Sequence, residues 1–207
     1  QNKQLHLTSD YLTAGVNGHF RYKELPDILL RQAVQYLPNA FTAKEQHRIK
    51  QTHSSNARID FYVYGHKLRA LQRVLQLPAR LGDQPVVKGF LHEDKNIFGL
   101  MAYAPRVRTG STSIQDITLS IDNIGNTANL SVSAEAMNMG AVLHAKAAGD
   151  SLMTRLTFHQ TDSAEHIYGG DISMLTQFVQ YAGKPLIDIH IRPSVFQLRD
   201  STYTITD

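Results

Sequence analysis

The sequence contains no cysteine, which excludes disulfides, thiolate nucleophiles and cysteine zinc sites. That absence leaves the compartment open, because a chain without thiols suits either redox environment. Long apolar runs are missing as well, and none approaches the roughly 20 residues a membrane-crossing helix needs. Basic residues do not cluster. Lys and Arg number 21 against 18 Asp and Glu, a formal charge of +3, and only Arg106 and Arg108 stand close together. Nucleic acid is therefore not an expected partner. Ten histidines occur without HExxH or His-x-His spacing, so neither a metal nor a cofactor is expected.

Catalytic signatures are equally scarce. No G-x-S-x-G elbow occurs, and Gly110-Ser111 reads as a hairpin loop. Gly169-Gly170-Asp171 reads as a bend between a strand and a helix rather than a phosphate or calcium loop. Glu93-Asp94 precedes Lys95-Asn96 in what looks like a hairpin tip, not a glycosidase carboxylate pair. With no catalytic residue expected, the chain reads as non-enzymatic. A glycan hydrolase or lyase would require Asp, Glu, His or Tyr side chains to converge in one cleft.

What the sequence does contain is strict apolar/polar alternation. Ala128, Leu130, Val132, Ala134 and Ala136 interleave with Asn129, Ser131, Ser133 and Glu135, and side chains of a strand point to opposite faces every second residue. The 207 residues, 42% hydrophobic and 19% charged, suffice for one folded β domain. Leu5 to Thr8 and Gly15 to Tyr22 read as a strand pair, and Ile59, Phe61 and Val63 as the apolar side of a further strand. Strands then follow at about 86 to 92, 96 to 104, 113 to 122, 127 to 137, 140 to 148 and 151 to 160. Short connections between them predict antiparallel neighbours, with tight hairpins at Gly125-Asn126 and Gly149-Asp150.

The period changes in few places. Pro26 and the spacing of Leu25, Ile28, Leu29, Ala33, Val34 and Leu37 predict a helix over 24–37. Residues 39–56 read as a polar, mobile connector, and Leu68, Leu71, Val74 and Leu75 predict a second helix over 66–76. His166 to Ser173 reads as a strand start, with Met174, Leu175, Phe178 and Val179 as a short helical return before Gly183. That order loosely echoes the opening of the chain. Ile187, Ile189 and Ile191 then alternate with Asp188 and His190, and strand-like segments follow at 195–198 and 202–206. The expected fold is mainly β: an antiparallel meander curled into a groove or taco-like roll, capped by two or three short helices. The start at Gln1 and the stop after a strand read as a single β-groove domain, 1–207, cut from a longer chain.

The apolar face has two readings. It is either the core of a closed β-sandwich, a binding or structural module for protein or glycan, or the lining of an unroofed trough. Its candidate lining is Ile59, Phe61 and Val63, then Ile117, Leu119 and Ile121, then Leu130, Val132 and Leu143. Leu152, Leu156 and Phe158 continue it, and Ile187, Ile189 and Ile191 complete it.

Leu7-Thr8-Ser9-Asp10 to Gly15-Val16-Asn17-Gly18-His19-Phe20-Arg21-Tyr22, followed by a helix ending Tyr36-Leu37-Pro38, resembles a segment of the AsmA-like, TamB-type translocation and assembly proteins. The form it is similar to is that of Bacteroidetes-like bacteria. Ile187-Asp188-Ile189-His190-Ile191-Arg192-Pro193-Ser194, continuing through Leu198-Arg199-Asp200-Ser201-Thr202-Tyr203, carries the same resemblance. It implies a periplasmic segment of a parent anchored in the inner membrane by parts outside this chain. It also implies an apolar β-groove for phospholipid or acyl chains, outer-membrane assembly, and an outer-membrane BamA-like barrel protein as partner. The helices over 24–37 and 66–76 depart from a continuous conduit, because either could plug it.

Overall fold

A computed structural model describes residues 2–51, 56–68, 80–82, 84–124, 127–160 and 168–206. The strands are β1 (Lys3–Thr8), β2 (Leu12–His19), β3 (Arg58–Gly65), β4 (Arg80–Leu81), β5 (Val86–His92), β6 (Ile97–Thr109) and β7 (Thr112–Ile124). They continue as β8 (Thr127–Ala136), β9 (Met139–Ala148), β10 (Ser151–Gln160), β11 (Tyr168–Tyr181), β12 (Lys184–Ile191), β13 (Ser194–Leu198) and β14 (Ser201–Ile205). All belong to one 14-stranded sheet, ordered β1-β2-β3-β5-β6-β7-β8-β9-β10-β11-β13-β14, with β12 on β11 and β4 on β6. Every pairing is antiparallel, and β1 does not meet β14, so the sheet is open and not a barrel.

The expected meander is what forms from β5 onward. Gly149 and Asp150, at φ 54° and 63°, make the left-handed two-residue turn joining β9 to β10. The turn expected at Gly125-Asn126 lies outside the described residues, as does most of the helix expected over 66–76. β12 and β13 share the outer edge of β11 end to end, β12 along Met174–Tyr181 and β13 along Tyr168–Asp171. Pro193 separates them because it has no N–H to give the ladder. Ser194, 3% exposed, fills that gap: its hydroxyl accepts from Ser173 N at 3.0 Å and donates to Arg192 O at 2.7 Å.

Two expectations are corrected. Met174, Leu175, Phe178 and Val179 do not turn back as a helix; β11 runs unbroken, with Met174, Thr176 and Phe178 opposite Ile191, Ile189 and Ile187. The echo of the opening therefore fails, since the described residues from Val86 onward hold only strands and one 3-10 turn, Glu93–Lys95. The stretch 39–56 is not simply a connector either. After helix α1 (Leu25–Tyr36) and a 3-10 turn (Pro38–Ala40) it forms helix α2 (Ala43–Gln51). Thr42 begins α2 in a capping box: its N and Oγ1 donate to Glu45 Oε2 at 2.8 and 2.7 Å, and Glu45 N donates back to Thr42 Oγ1 at 3.3 Å.

The buried core is small and local. Phe20, Ile28, Ala57, Ile59 and Leu91 cluster under α1, with Val16, Leu25, Phe61 and Phe98 packed around them. Among the described residues no second sheet lies over the remainder, and the single sheet is open rather than a closed sandwich. The molecule exposes 13770 Å², whereas a compact monomer of 23.2 kDa exposes about 9700 Å² by size scaling.

Candidate functional site

Strand register places all of the predicted lining on one face, because directly opposed residues of an antiparallel pair point the same way. One cross-strand row runs Val63, Val87, Ala102, Leu119, Val132, Leu143, Leu156 and Ile172. The next runs Phe61, Gly89, Leu100, Ile121, Leu130, Ala145, Thr154, Met174 and Ile191. Leu152, Thr176 and Ile189 share a third row with Ile59, and Ile117, Ala141 and Phe158 lie on the same face toward its other end. No charged side chain stands in the first two rows.

Phe61 packs against the core and Val63 is exposed; the other lining residues fall into three groups. Ile59, 8% exposed, is sealed beneath α1 and belongs to the core rather than to any lining. The central positions from Ile117 to Phe158 are half-buried, and among the described residues no helix or second sheet lies over them. Ile187, Ile189 and Ile191 stand 50–62% exposed at the rim strand. Two glycines shape the floor. A Cβ on Gly89 would lie 2.8 Å from Phe61 Cζ, and one on Gly170 would lie 2.9 Å from Phe158 Cε1, so each ring rests flat across the neighbouring strand.

α1 crosses one end of this face. Ile28 packs on Ile59 and Leu91 at β3 and β5, and Pro38–Ala40 lies against β11 and β12. Flat, the seven strand spacings from β3 to β11 would span about 34 Å. The chain from Ile28 to Asn39 reaches only about 22 Å, counting helix to Tyr36 and extended backbone beyond it. The sheet therefore curls toward the helix, and the apolar face is its concave side at this end.

Hydrogen bonds fix the cap at several points along its path across the sheet. Asn123 Nδ2 donates to Tyr36 Oη at 2.8 Å and to Asn96 O at 2.6 Å, while Asn123 Oδ1 accepts from Phe98 N at 2.7 Å. Asp150 N donates to Tyr36 O at 3.2 Å, and Asp150 Oδ1 accepts from Asn39 N at 2.5 Å. Gln180 Nε2 donates to Asn39 O and Phe41 O at 3.2 and 2.7 Å. From the middle of α1, Arg31 pairs with Glu93 at 2.6 Å, and Glu93 Oε2 accepts from Ala57 N at 3.2 Å. Sequence reasoning missed these anchors. The available signal was Asn123 and Gln180 standing at the apolar phase of their strands, after Ile121 and Phe178.

Charge is confined to the other face and to the ends. On the polar face Arg155 forks onto Asp171, holding that carboxyl below its ordinary value. Tyr103 donates to Asp116 at 3.0 Å, and losing that bond to a carboxylate raises the phenol. Among the described residues no three His, Asp or Glu side chains converge as metal ligands. The chain matches no family model, no curated protein and no solved structure.

Proposed function

We propose that this chain is a non-enzymatic β-groove segment that accommodates the acyl chains of phospholipid, as its resemblance to TamB-type and AsmA-like proteins implies. One observation carries the reading: uncharged apolar rows run across a curled sheet that has no second layer above them among the described residues. Leaving an acyl chain in water costs about 0.8 kcal/mol per CH₂, so a continuous dry lining lowers the cost of crossing an aqueous space. Ala128, Ala134, Ala141 and Ala145 leave width, and Leu130, Val132, Leu143 and Leu156 supply contact. In this reading the segment lies in the periplasm, its parent is held in the inner membrane, and a BamA-like barrel is the distal partner.

Capture of a fluorescent phospholipid by the purified chain tests the reading. Val132→Arg puts a charge mid-row and lowers capture at least about tenfold, the cost of burying one unpaired charge. Met153→Arg, on the polar face, leaves it unchanged. Wild-type chain that captures no lipid, or Val132→Arg chain that captures as much as wild type, ends the proposal.

A further inference from the structure

The polar face carries a depression of about 660 Å³ over β1 to β7, within the size range of small-ligand sites. Its floor is built by a particular pairing. Gly15 stands opposite Tyr62, and a Cβ there would sit 2.6 Å from the Tyr62 hydroxyl; Gly99 stands opposite Phe90, and a Cβ there would sit 2.6 Å from Phe90 Cε1. Without those Cβ atoms both rings lie down across the neighbouring strand and turn their π faces to solvent. Tyr62 is pinned there by His6, whose Nδ1 is 3.0 Å from the phenol oxygen and whose Nε2 is 2.9 Å from Thr8 Oγ1. Phe90 leans on the His92 ring at 5.4 Å.

The two ring platforms are three strand spacings apart, about 14 Å, and polar side chains occupy the space around them. Gln4 and Asn17 face each other across β1 and β2, with Lys88 and Ser120 further along the lining. Among the described residues none of these four makes a side-chain hydrogen bond to the protein, so each offers its donors or acceptors outward. Formal charge nearly cancels: Asp60 is 3.1 Å from His92 Nε2 and 3.8 Å from Arg58, and Lys88 shares the lining with Asp122, which accepts from Asn129 Nδ2 at 2.9 Å. Such a surface suits a ligand with apolar C–H faces, many hydroxyls and no net charge.

We infer that this depression binds a neutral oligosaccharide, its sugar rings stacking on Tyr62 and Phe90 and its hydroxyls meeting Gln4, Asn17, Lys88 and Asp122. The site is on the opposite face from the groove and does not depend on the acyl-chain reading. Calorimetric titration with cellotetraose, N-acetylchitotetraose and maltotetraose tests it. At least one binds, and Tyr62→Ala and Phe90→Ala each weaken it about tenfold, as expected for one aromatic contact. Tyr62→Phe keeps the platform and retains binding, while Val132→Arg, which disables the groove, leaves it intact. Circular dichroism confirms that each variant is folded. Absence of binding by all three sugars, or binding unchanged in both folded alanine variants, overturns the inference.

Discussion

The two ends of the apolar face have the same chemistry and different fates. At one end α1 lies across the strands and drives Ile28, Ile59 and Leu91 to 0–8% exposure. At the other, Leu119, Val132, Leu143 and Leu156 have no helix above them among the described residues and stay only half-buried. Apolar sequence alone therefore does not make a core. A core requires a second element, and among the described residues one stands at a single end.

The sharpest test of that contrast is a pair of truncations in opposite halves. Ile28→Ala removes the fully buried side chain under the cap and costs about 3–4 kcal/mol in chemical denaturation. Leu143→Ala, among half-buried neighbours, costs about 1–2 kcal/mol on the same scale. Equal losses would erase the distinction between capped and open ends. A loss comparable to that of Leu143→Ala follows from Gln180→Ala, which removes both donations to Asn39 O and Phe41 O and costs about 1–2 kcal/mol. Hydrogen exchange then quickens in α1 and the following turn while β8 to β10 keep their protection. Uniform loss across the sheet would mean that the cap and the sheet unfold as one unit.

The smallest effect is electrostatic. Hydrogen bonds from the Thr42 side chain and backbone hold the Glu45 carboxyl below its ordinary value. A carboxyl depressed by folding stabilises above its unfolded value, and that stabilisation fades as pH falls through the folded one. Amide protection of α2 accordingly declines with acidification through the carboxylate range, and Glu45→Gln removes most of that dependence. A slope unchanged in the variant would place the titrating group elsewhere in the capped end.

The strands were legible because burial on one face writes a period of two into the sequence, as in β8, where Ala128 to Ala136 alternate with polar residues. β11 was misread where that rule lapses. Leu175 and Val179 are apolar on the polar face, and with Met174 and Phe178 they imitate helical spacing. α2 was overlooked because its sequence is polar except for Ala43 and Ile49, the latter 8% exposed, yet Thr42-Ala43-Lys44-Glu45 carried a capping-box signature. The cap's anchorage was not readable locally. Tyr36 and Asn123 are 87 positions apart, and only the curl of the sheet brings them together. The same curl decided the lining, converting Ile59 from an expected groove residue into core.

β11 carries one strand outside it near the plugged end, where β12 is the last, and two beyond it at the other, where β13 is followed by β14. The far wall is thus taller by one strand, about 4.8 Å, on the side away from Tyr36. The concave face is therefore walled higher at its open end than at the end that α1 crosses.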